Sequence, residues 1–318
     1  MRVIRNVAAG LVLLTLAGVL ASAADKGRIA FASDRSGSWQ IYTVNPDGSD
    51  LFQVTNLPPT DDDGLFPSLS PDGRRVLFNY NAGEGPDLFV INVDGSGLQQ
   101  LTTDHRSFGA HWSPDGKTIA FSNITDFDTV VIATMTADGS GTKTILTSIV
   151  WESVFPIYTP DAKHIVFGSQ MGGLVSAAWI MNADGSHQRR LTPAALKAQP
   201  WAVSPDGRKI AGYFNQDSPP ALETGIFVMN LNGSGRQSLA AGGSFHHDLY
   251  PTYSPDGKSI SFVSDRFSTD ITQFTYGTFD ILTMDADGEN IVDVVSGAGF
   301  CPNDGNCVTP SWGASAQE

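Results

Sequence analysis

The chain has 318 residues, of which 41% are hydrophobic and 16% are charged, with 33 Gly and 18 Pro. This composition excludes a coiled coil, a disordered chain and a multi-span membrane protein. Acidic residues outnumber Lys and Arg by 33 to 19, so the net charge is -14. A nucleic-acid partner is not expected, because phosphate binding requires a basic surface.

The N-terminal segment has the pattern of a secretion signal. Two arginines among the first five residues precede an apolar run from about Val7 to Leu20, and small residues follow at 21–23. An uncleaved anchor would require about 20 apolar residues, more than this run provides. We therefore expect a signal peptide at 1–23, cleaved near Ala23, and a mature protein at 24–318 in the periplasm or outside the cell.

Two short motifs recur through the mature chain. The string Ser-Pro-Asp-Gly, once in the degenerate form Thr-Pro-Asp-Ala, precedes an apolar strand and begins at Ser70, Ser113, Thr159, Ser204 and Ser254. A second motif, Asp-Gly or Asn-Gly after an apolar strand, begins at Asp47, Asp94, Asp138, Asp184, Asn232 and Asp287. Both reverse the chain tightly, since Pro presets a turn's first φ and Gly accepts a positive one.

Each repeat holds four short strands, and six repeats predict an all-β fold, a six-bladed β-propeller of four-stranded blades. The chain ends complete each other: Gly27 to Thr55 supplies the last three strands of a blade, and Thr309 to Trp312 supplies the first. One C-terminal strand is thus predicted to join three N-terminal strands and close the ring. A pair of β-sandwiches would not explain one motif that recurs along the whole chain.

The repeats also carry a family resemblance. Residues 28–35 (Arg-Ile-Ala-Phe-Ala-Ser-Asp-Arg), Ile41-Tyr42, the turn at 45–49 and the pattern Pro-x-x-Ser-Pro-Asp-Gly resemble the propeller of TolB and its WD-like relatives. The similarity extends from about Gly27 to Trp312. TolB proteins place an α/β domain before the propeller, whereas here the signal segment runs almost directly into the first strand. The resemblance implies a periplasmic propeller that binds a protein partner at its channel mouth.

The candidate site lies where the loops vary. Strand direction alternates within a blade, so the two repeated turn classes share one face, and loops of differing length and chemistry share the opposite face. The loops between blades are expected to open onto the central channel. They carry the candidate binding residues Asp61, Asp62, Asp63, His105, Arg106, Trp151, Glu152, Lys197, Phe245, His246, His247 and Asp248. This mainly acidic set predicts attraction of a cationic peptide or a metal ion; a solvated loop rim is the alternative.

The string His246-His247-Asp248 raises an enzymatic alternative. Imidazole and carboxylate suit a divalent metal or general acid/base chemistry. Oligogalacturonate lyases are propellers that resemble this repeat class and use a metal with His ligands. A metal-dependent polysaccharide enzyme would therefore use His246, His247, Asp248 and His105. Against it, neighbouring residues on a strand face opposite ways, so at most one of the two His would point into the channel.

The preferred interpretation is an exported, monomeric, non-catalytic scaffold for an envelope protein or peptide. It requires no cofactor; a divalent metal at the channel mouth belongs to the enzymatic alternative. A glycan or small-molecule sensor is the third possibility, with Trp151 and Phe245 as its aromatic shelf. Gly-x-Ser-x-Gly does not occur in the sequence, which excludes a fused α/β-hydrolase. The strings Ser33-Asp34-Arg35 and Ser264-Asp265-Arg266 are expected to be structural, with each Arg crossing to a carboxylate of a neighbouring blade.

The two cysteines, Cys301 and Cys307, are six residues apart. In an exported protein they meet an oxidising compartment, so we expect a disulfide that pins one loop. Closing so short a loop is expected to stabilise the fold by about 2 kcal/mol. A two-cysteine metal site is the rival interpretation, but it lacks a nearby His or third Cys.

Overall fold

The computed structural model describes residues 27–59, 65–148, 151–170, 177–193, 196–218, 221–239, 247–266, 279–295 and 307–315. They form six antiparallel sheets of four strands each. The innermost strands of neighbouring sheets contact one another all the way round, so the sheets are the blades of a closed ring. The predicted six-bladed, all-β propeller is confirmed. Across the described ranges, no helix has the length and apolarity needed to cross a bilayer.

Each blade runs outward from its innermost strand. Blades 1 and 2 consist of β1 (Arg28–Ser33), β2 (Gln40–Val44) and β3 (Phe52–Gln53), then β4 (Ser68–Leu69), β5 (Arg75–Asn81), β6 (Pro86–Asn92) and β7 (Gln99–Gln100). Blades 3 and 4 consist of β8 (Ser107–Trp112), β9 (Thr118–Ile124), β10 (Val130–Thr136) and β11 (Thr144–Ile145), then β12 (Ser153–Tyr158), β13 (His164–Ser169), β14 (Ala177–Asn182) and β15 (Arg189–Arg190). Blades 5 and 6 consist of β16 (Ala198–Val203), β17 (Lys209–Ser218), β18 (Ala221–Asn230) and β19 (Gln237–Leu239), then β20 (Asp248–Tyr253), β21 (Ser259–Ser264), β22 (Asp280–Asp285) and β23 (Val292–Asp293). The innermost strand of blade 1 is β24 (Cys307–Gly313).

The last strand closes the ring. β24 pairs antiparallel with β1, with Arg28 opposite Gly313. On its other side it reaches blade 2, where the Leu69 backbone N–H donates to Ser311 Oγ at 3.1 Å. One C-terminal strand therefore completes the blade built from three N-terminal strands, as the chain ends predict.

The Ser-Pro-Asp-Gly strings form the turns between first and second strands, here called the Pro-Asp turns. In the first, Ser70 Oγ donates to Asp72 Oδ1 at 2.5 Å, and the Arg74 N–H donates to the same oxygen at 3.1 Å. The Arg75 N–H in turn donates to Ser70 Oγ at 2.9 Å. The Ser or Thr makes the same bond to the Asp in the other four turns. Asp and Ser thus satisfy the turn's backbone locally, which explains why both recur.

The hydrophobic core lies between the blades. Six clusters fill the ring, each with residues of two neighbouring blades. Five blades place a fully buried Phe on the second strand, whereas blade 5 has Gly212 there. Phe227, opposite Gly212 on β18, fills that space, since a Cβ at Gly212 would lie 2.7 Å from its ring. Exchanging Phe and Gly across the strand pair preserves the packing.

Candidate interaction face

The propeller has two unlike faces. The Pro-Asp turns and the Asp-Gly turns form one, here called the turn face. The connections between second and third strands and between blades form the other, here called the loop face, which carries the residues predicted to bind. Several of these lie outside the described residues, so their roles stay predictions: Asp61, Asp62, Asp63, Phe245 and His246. Cys301 also lies outside, so its disulfide with Cys307 stays a prediction.

His247 is held against its own blade. Its Nδ1 lies 2.8 Å from Asp265 Oδ2, and its backbone N–H donates to Asp265 Oδ1 at 2.7 Å. The hydrogen bond to Asp265 raises the pKa of His247 above the usual value of a histidine. A single carboxylate thus fixes both the backbone and the ring, which suits a structural cap as well as a catalytic dyad.

Asp248, the next residue, points into the blade and is fully buried. Arg266 Nη2 donates to both of its carboxylate oxygens, at 2.8 and 2.7 Å. Burial raises the pKa of Asp248, and the charge of Arg266 opposes that rise. The expectation that Arg266 crosses to a neighbouring blade is wrong: Asp248 starts β20 directly opposite Ser264, the last residue of β21, so Arg266 two residues further on returns to a carboxylate of its own blade.

His105 lies between two carboxylates. Its Nε2 is 3.1 Å from Glu84 Oε2, and its Nδ1 is 2.9 Å from Asp87 Oδ2. The carboxylates occupy opposite nitrogens of one ring, so the three groups do not converge on a point where one ion could bind them all. More generally, the described part of the chain contains no group of three or more His, Cys, Asp or Glu side chains that could hold a metal.

Other predicted residues take part in local structure. Arg106 Nη1 contacts Asp126 on the neighbouring connection of blade 3. The Glu152 backbone carbonyl accepts from Ser169 Oγ at 2.8 Å, while the Glu152 side chain stays exposed. Lys197 precedes β16 with a positive φ of 45°. These contacts shape the loops, and the exposed groups among them remain accessible to a partner.

Two aromatic side chains on the loop face project into solvent. Trp151, in the connection from blade 3 to blade 4, is 40% exposed, and Phe127, between β9 and β10, is 75% exposed. The loop that carries Phe127 is ordered by Thr125, whose N–H donates to the Thr129 carbonyl at 2.9 Å and whose carbonyl accepts from the Asp128 N–H at 3.1 Å. An exposed Phe is therefore held on a hydrogen-bonded turn.

Beneath the loop face, aromatic rings meet across the channel. The ring of Phe66, from blade 2, lies 6.1 Å from that of Trp201, from the opposite blade 5. Trp201 also lies 4.9 Å from Phe155 and 4.6 Å from Tyr250. With Phe108 and Tyr213 these residues form what we call the aromatic cluster. Its members come from blades 2 to 6, so these rings pack together in the centre of the propeller beneath the loop face.

Backbone bulges direct these side chains inward. The register of β12 shifts between Val154 and Ile157, and that of β20 shifts between Leu249 and Thr252. Phe155 and Tyr250 sit at these shifts with φ of 53° and 55°, a conformation that costs a bulky residue about 1–3 kcal/mol. A bulge re-aims a side chain by inserting one extra residue. The packing of the cluster offsets this strain.

Sequence reasoning missed Phe127 and the aromatic cluster. A signal for the cluster was present: an aromatic residue directly precedes proline at Phe66, Phe155 and Tyr250, four positions before the Ser or Thr of the next Pro-Asp turn. Nothing comparable marks Phe127, because one aromatic residue in a short polar loop is a common pattern.

Comparison with known proteins places the chain in a family. The family model described as the TolB beta propeller domain matches residues 21–203. An uncharacterized protein of Agrobacterium fabrum is 30% identical over 212 residues, which cover 61% of this chain and 68% of that protein. Dipeptidyl-peptidase 5 of Porphyromonas gingivalis is 27% identical over 241 residues, 73% of this chain and 34% of the peptidase. The chain thus spans about a third of that peptidase's length.

Solved structures share the fold. TolB from Acinetobacter baumannii superposes with a TM-score of 0.70 at 20% identity, covering 91% of this chain and 67% of that one. Oligogalacturonate lyase from Vibrio parahaemolyticus gives a TM-score of 0.55 at 16% identity, covering 84% of this chain and 74% of the lyase. At these identities the structures establish a common architecture only. The family model matches more than half of the 318 residues of this chain, so the chain belongs to the TolB β-propeller domain family.

Proposed function

We propose that this protein is an exported, non-catalytic propeller that binds a cationic segment of an envelope protein or peptide on its loop face. The observation that carries the proposal is Phe127, 75% exposed on a hydrogen-bonded turn. Binding energy concentrates in aromatic anchors, and an anchor that is already fixed loses little conformational entropy on binding. Trp151 on the same face supplies a second anchor.

The charge around these aromatics favours a cationic partner. Phe127 stands between Asp126 and Asp128, and Glu152 follows Trp151, all with exposed side chains. Arg106 is paired with Asp126 and offsets one of these charges. The chain as a whole carries a net charge of -14, so the long-range field also attracts cations.

The non-catalytic part of the proposal rests on how the candidate catalytic groups are held. Asp248 is fully buried and bound by both oxygens to Arg266, and His247 is bound through Nδ1 to Asp265. A role in proton transfer would require Asp248 to leave its buried pair, which is strongly unfavourable. These residues suit the positioning of β20 and the loop before it. Export rests on the signal sequence predicted at 1–23.

The test is a peptide selection with matched variants. Residues 24–318 would be used to select from a random peptide library displayed on phage, and the affinity of the enriched peptides would be measured by calorimetry. We expect peptides of net positive charge, with affinity that falls as salt rises. Phe127→Ala and Trp151→Ala should each weaken binding about tenfold or more.

Phe52→Ala is the matched control, because Phe52 is 42% exposed but lies on outer strand β3. It should leave the affinity within about twofold. Neutral or acidic peptides, or equal losses in all three variants, would contradict the proposal.

A further inference from the structure

A second candidate site lies in the channel on the other side of the aromatic cluster. There a cavity of about 390 Å³ extends from Phe155 and Trp201 of the cluster to the prolines of the Pro-Asp turns. We call it the turn-side cavity. Its volume is near the lower end of the range of about 300–1,000 Å³ that small-molecule sites occupy.

The walls of the turn-side cavity carry no formal charge. Among the described residues that line it, none is Asp, Glu, Lys or Arg, although the chain contains 33 acidic residues. Aromatic and aliphatic groups such as Ile157, Tyr158 and Trp312 form most of the lining. A charged ligand would lose its hydration here without gaining a counter-ion, which is costly. The cavity therefore selects for uncharged ligands.

One imidazole lies among the polar groups of these walls, which otherwise are hydroxyls such as those of Ser68, Thr252 and Thr309. His111 lines the cavity, and within the described part of the chain its ring has no hydrogen-bond partner. Burial lowers the pKa of His111 to about 4, so the ring is neutral and offers one donor and one acceptor. The equivalent positions of the next three blades, two residues before the Ser or Thr of the turn, are Ile157, Ala202 and Thr252. Among these positions only that of blade 3 carries an imidazole, whereas Ser68 in blade 2 and Thr252 in blade 6 carry hydroxyls.

We propose that the turn-side cavity binds an uncharged aromatic small molecule with one hydrogen-bonding group, whose ring packs against Tyr158, Trp201 and Trp312 and whose polar group meets His111. Aromatic rings gain from such offset or edge contacts beyond the area they bury. The half-buried imidazole gains a partner it lacks without a ligand, which favours a polar substituent over a wholly apolar ring. The site is independent of the loop face, since the aromatic cluster separates the two.

Three indoles that differ in charge test this proposal. Tryptophol is neutral, indole-3-acetate is anionic and tryptamine is cationic, and each would be titrated into residues 24–318 at pH 7 by calorimetry. We expect tryptophol to bind and the two charged analogues to bind at least about tenfold more weakly. Equal binding of all three, or no binding of tryptophol at about 10 mM, would overturn the proposal.

Variants locate the bound ring. Val203→Trp fills the cavity and should abolish tryptophol binding; Ile157→Trp serves the same purpose if circular dichroism shows that the first variant does not fold. His111→Leu should weaken tryptophol binding about fivefold, the loss of one hydrogen bond. Phe52→Ala, on outer strand β3 and away from both proposed sites, should change nothing. Unchanged affinity in a folded cavity-filling variant would also overturn the proposal.

Discussion

Replacing Gly73 by Ala should destabilise the propeller more than the same change at Gly116, although both residues occupy the same position of a Pro-Asp turn. Their φ angles are 67° and 66°, so each Ala incurs about 1–2 kcal/mol of left-handed strain. Ala also lowers the conformational entropy of the unfolded chain, which offsets about 0.4–1 kcal/mol of that strain. At Gly116 the new Cβ lies 3.8 Å from Pro71, an ordinary contact, so the net cost there is about 1 kcal/mol.

Gly73 differs because the chain that closes the ring packs against it. Its Cβ would lie 2.1 Å from the backbone oxygen of Ala314, which follows β24. Backbone must move to relieve that overlap, and such overpacking costs about 1–3 kcal/mol more. The expected total for Gly73→Ala is therefore about 2–4 kcal/mol.

Urea unfolding of five proteins measures this difference. Gly73→Ala and Gly116→Ala would each be compared with the parent chain, and Gly73→Ala in a chain that ends at Gly313 would be compared with that shortened chain. Removing Ala314 removes the overlap, so in the shortened chain the cost should fall to that of Gly116→Ala. Equal costs at both glycines in the full chain would refute the reasoning. So would a Gly73→Ala penalty that survives the truncation.

Three further outcomes follow from the buried charges and the candidate metal ligands. Asp248→Asn leaves the guanidinium of Arg266 without its ion pair, so the free energy of unfolding, measured by thermal unfolding, should fall by about 3 kcal/mol. A fall of less than about 1 kcal/mol would contradict the view that this ion pair stabilises the fold. Burial raises the pKa of Asp280 to about 6, so the folded state favours the protonated carboxyl and the free energy of unfolding falls as pH rises from about 4 through 6. Asp280→Asn should therefore be up to about 3 kcal/mol more stable than the parent at pH 8. The same pH dependence of stability in both proteins would contradict this. Elemental analysis of residues 24–318 in chelator-free buffer should find far less than one transition metal per chain, whereas stoichiometric manganese, iron or zinc that disappears in a His246→Ala, His247→Ala double variant would favour the enzymatic alternative.

The fold could be read from the sequence because its signals are local. Each Pro-Asp turn is closed by side chains within five residues, as with Ser70, Asp72 and the N–H of Arg75, so the motif carries its own structural cause. Ring closure was also visible, since the surplus strands at the two ends add up to one blade. Four-stranded blades and their number follow from these repeats alone.

The site was only partly readable because its contacts are not local. Spacing alone could not show that Arg266 returns to Asp248 in its own blade, since that depends on the register of β20 against β21. The contact of Phe66 with Trp201 joins residues on opposite sides of the ring. The exposure of Phe127 depends on what the surrounding loops leave uncovered. These features require the assembled ring.

The central claim, that a cationic partner docks at Phe127, is tested most directly by site-specific crosslinking. p-Benzoylphenylalanine would replace Phe127 in one protein and Phe52 in another, and each would be irradiated with the tightest-binding peptide from the selection. Residue 127 should crosslink the peptide in good yield, less so at high salt, while residue 52 should not. Crosslinking from residue 52 alone, or none from residue 127 at saturating peptide, would place the partner elsewhere and contradict the proposed loop-face site.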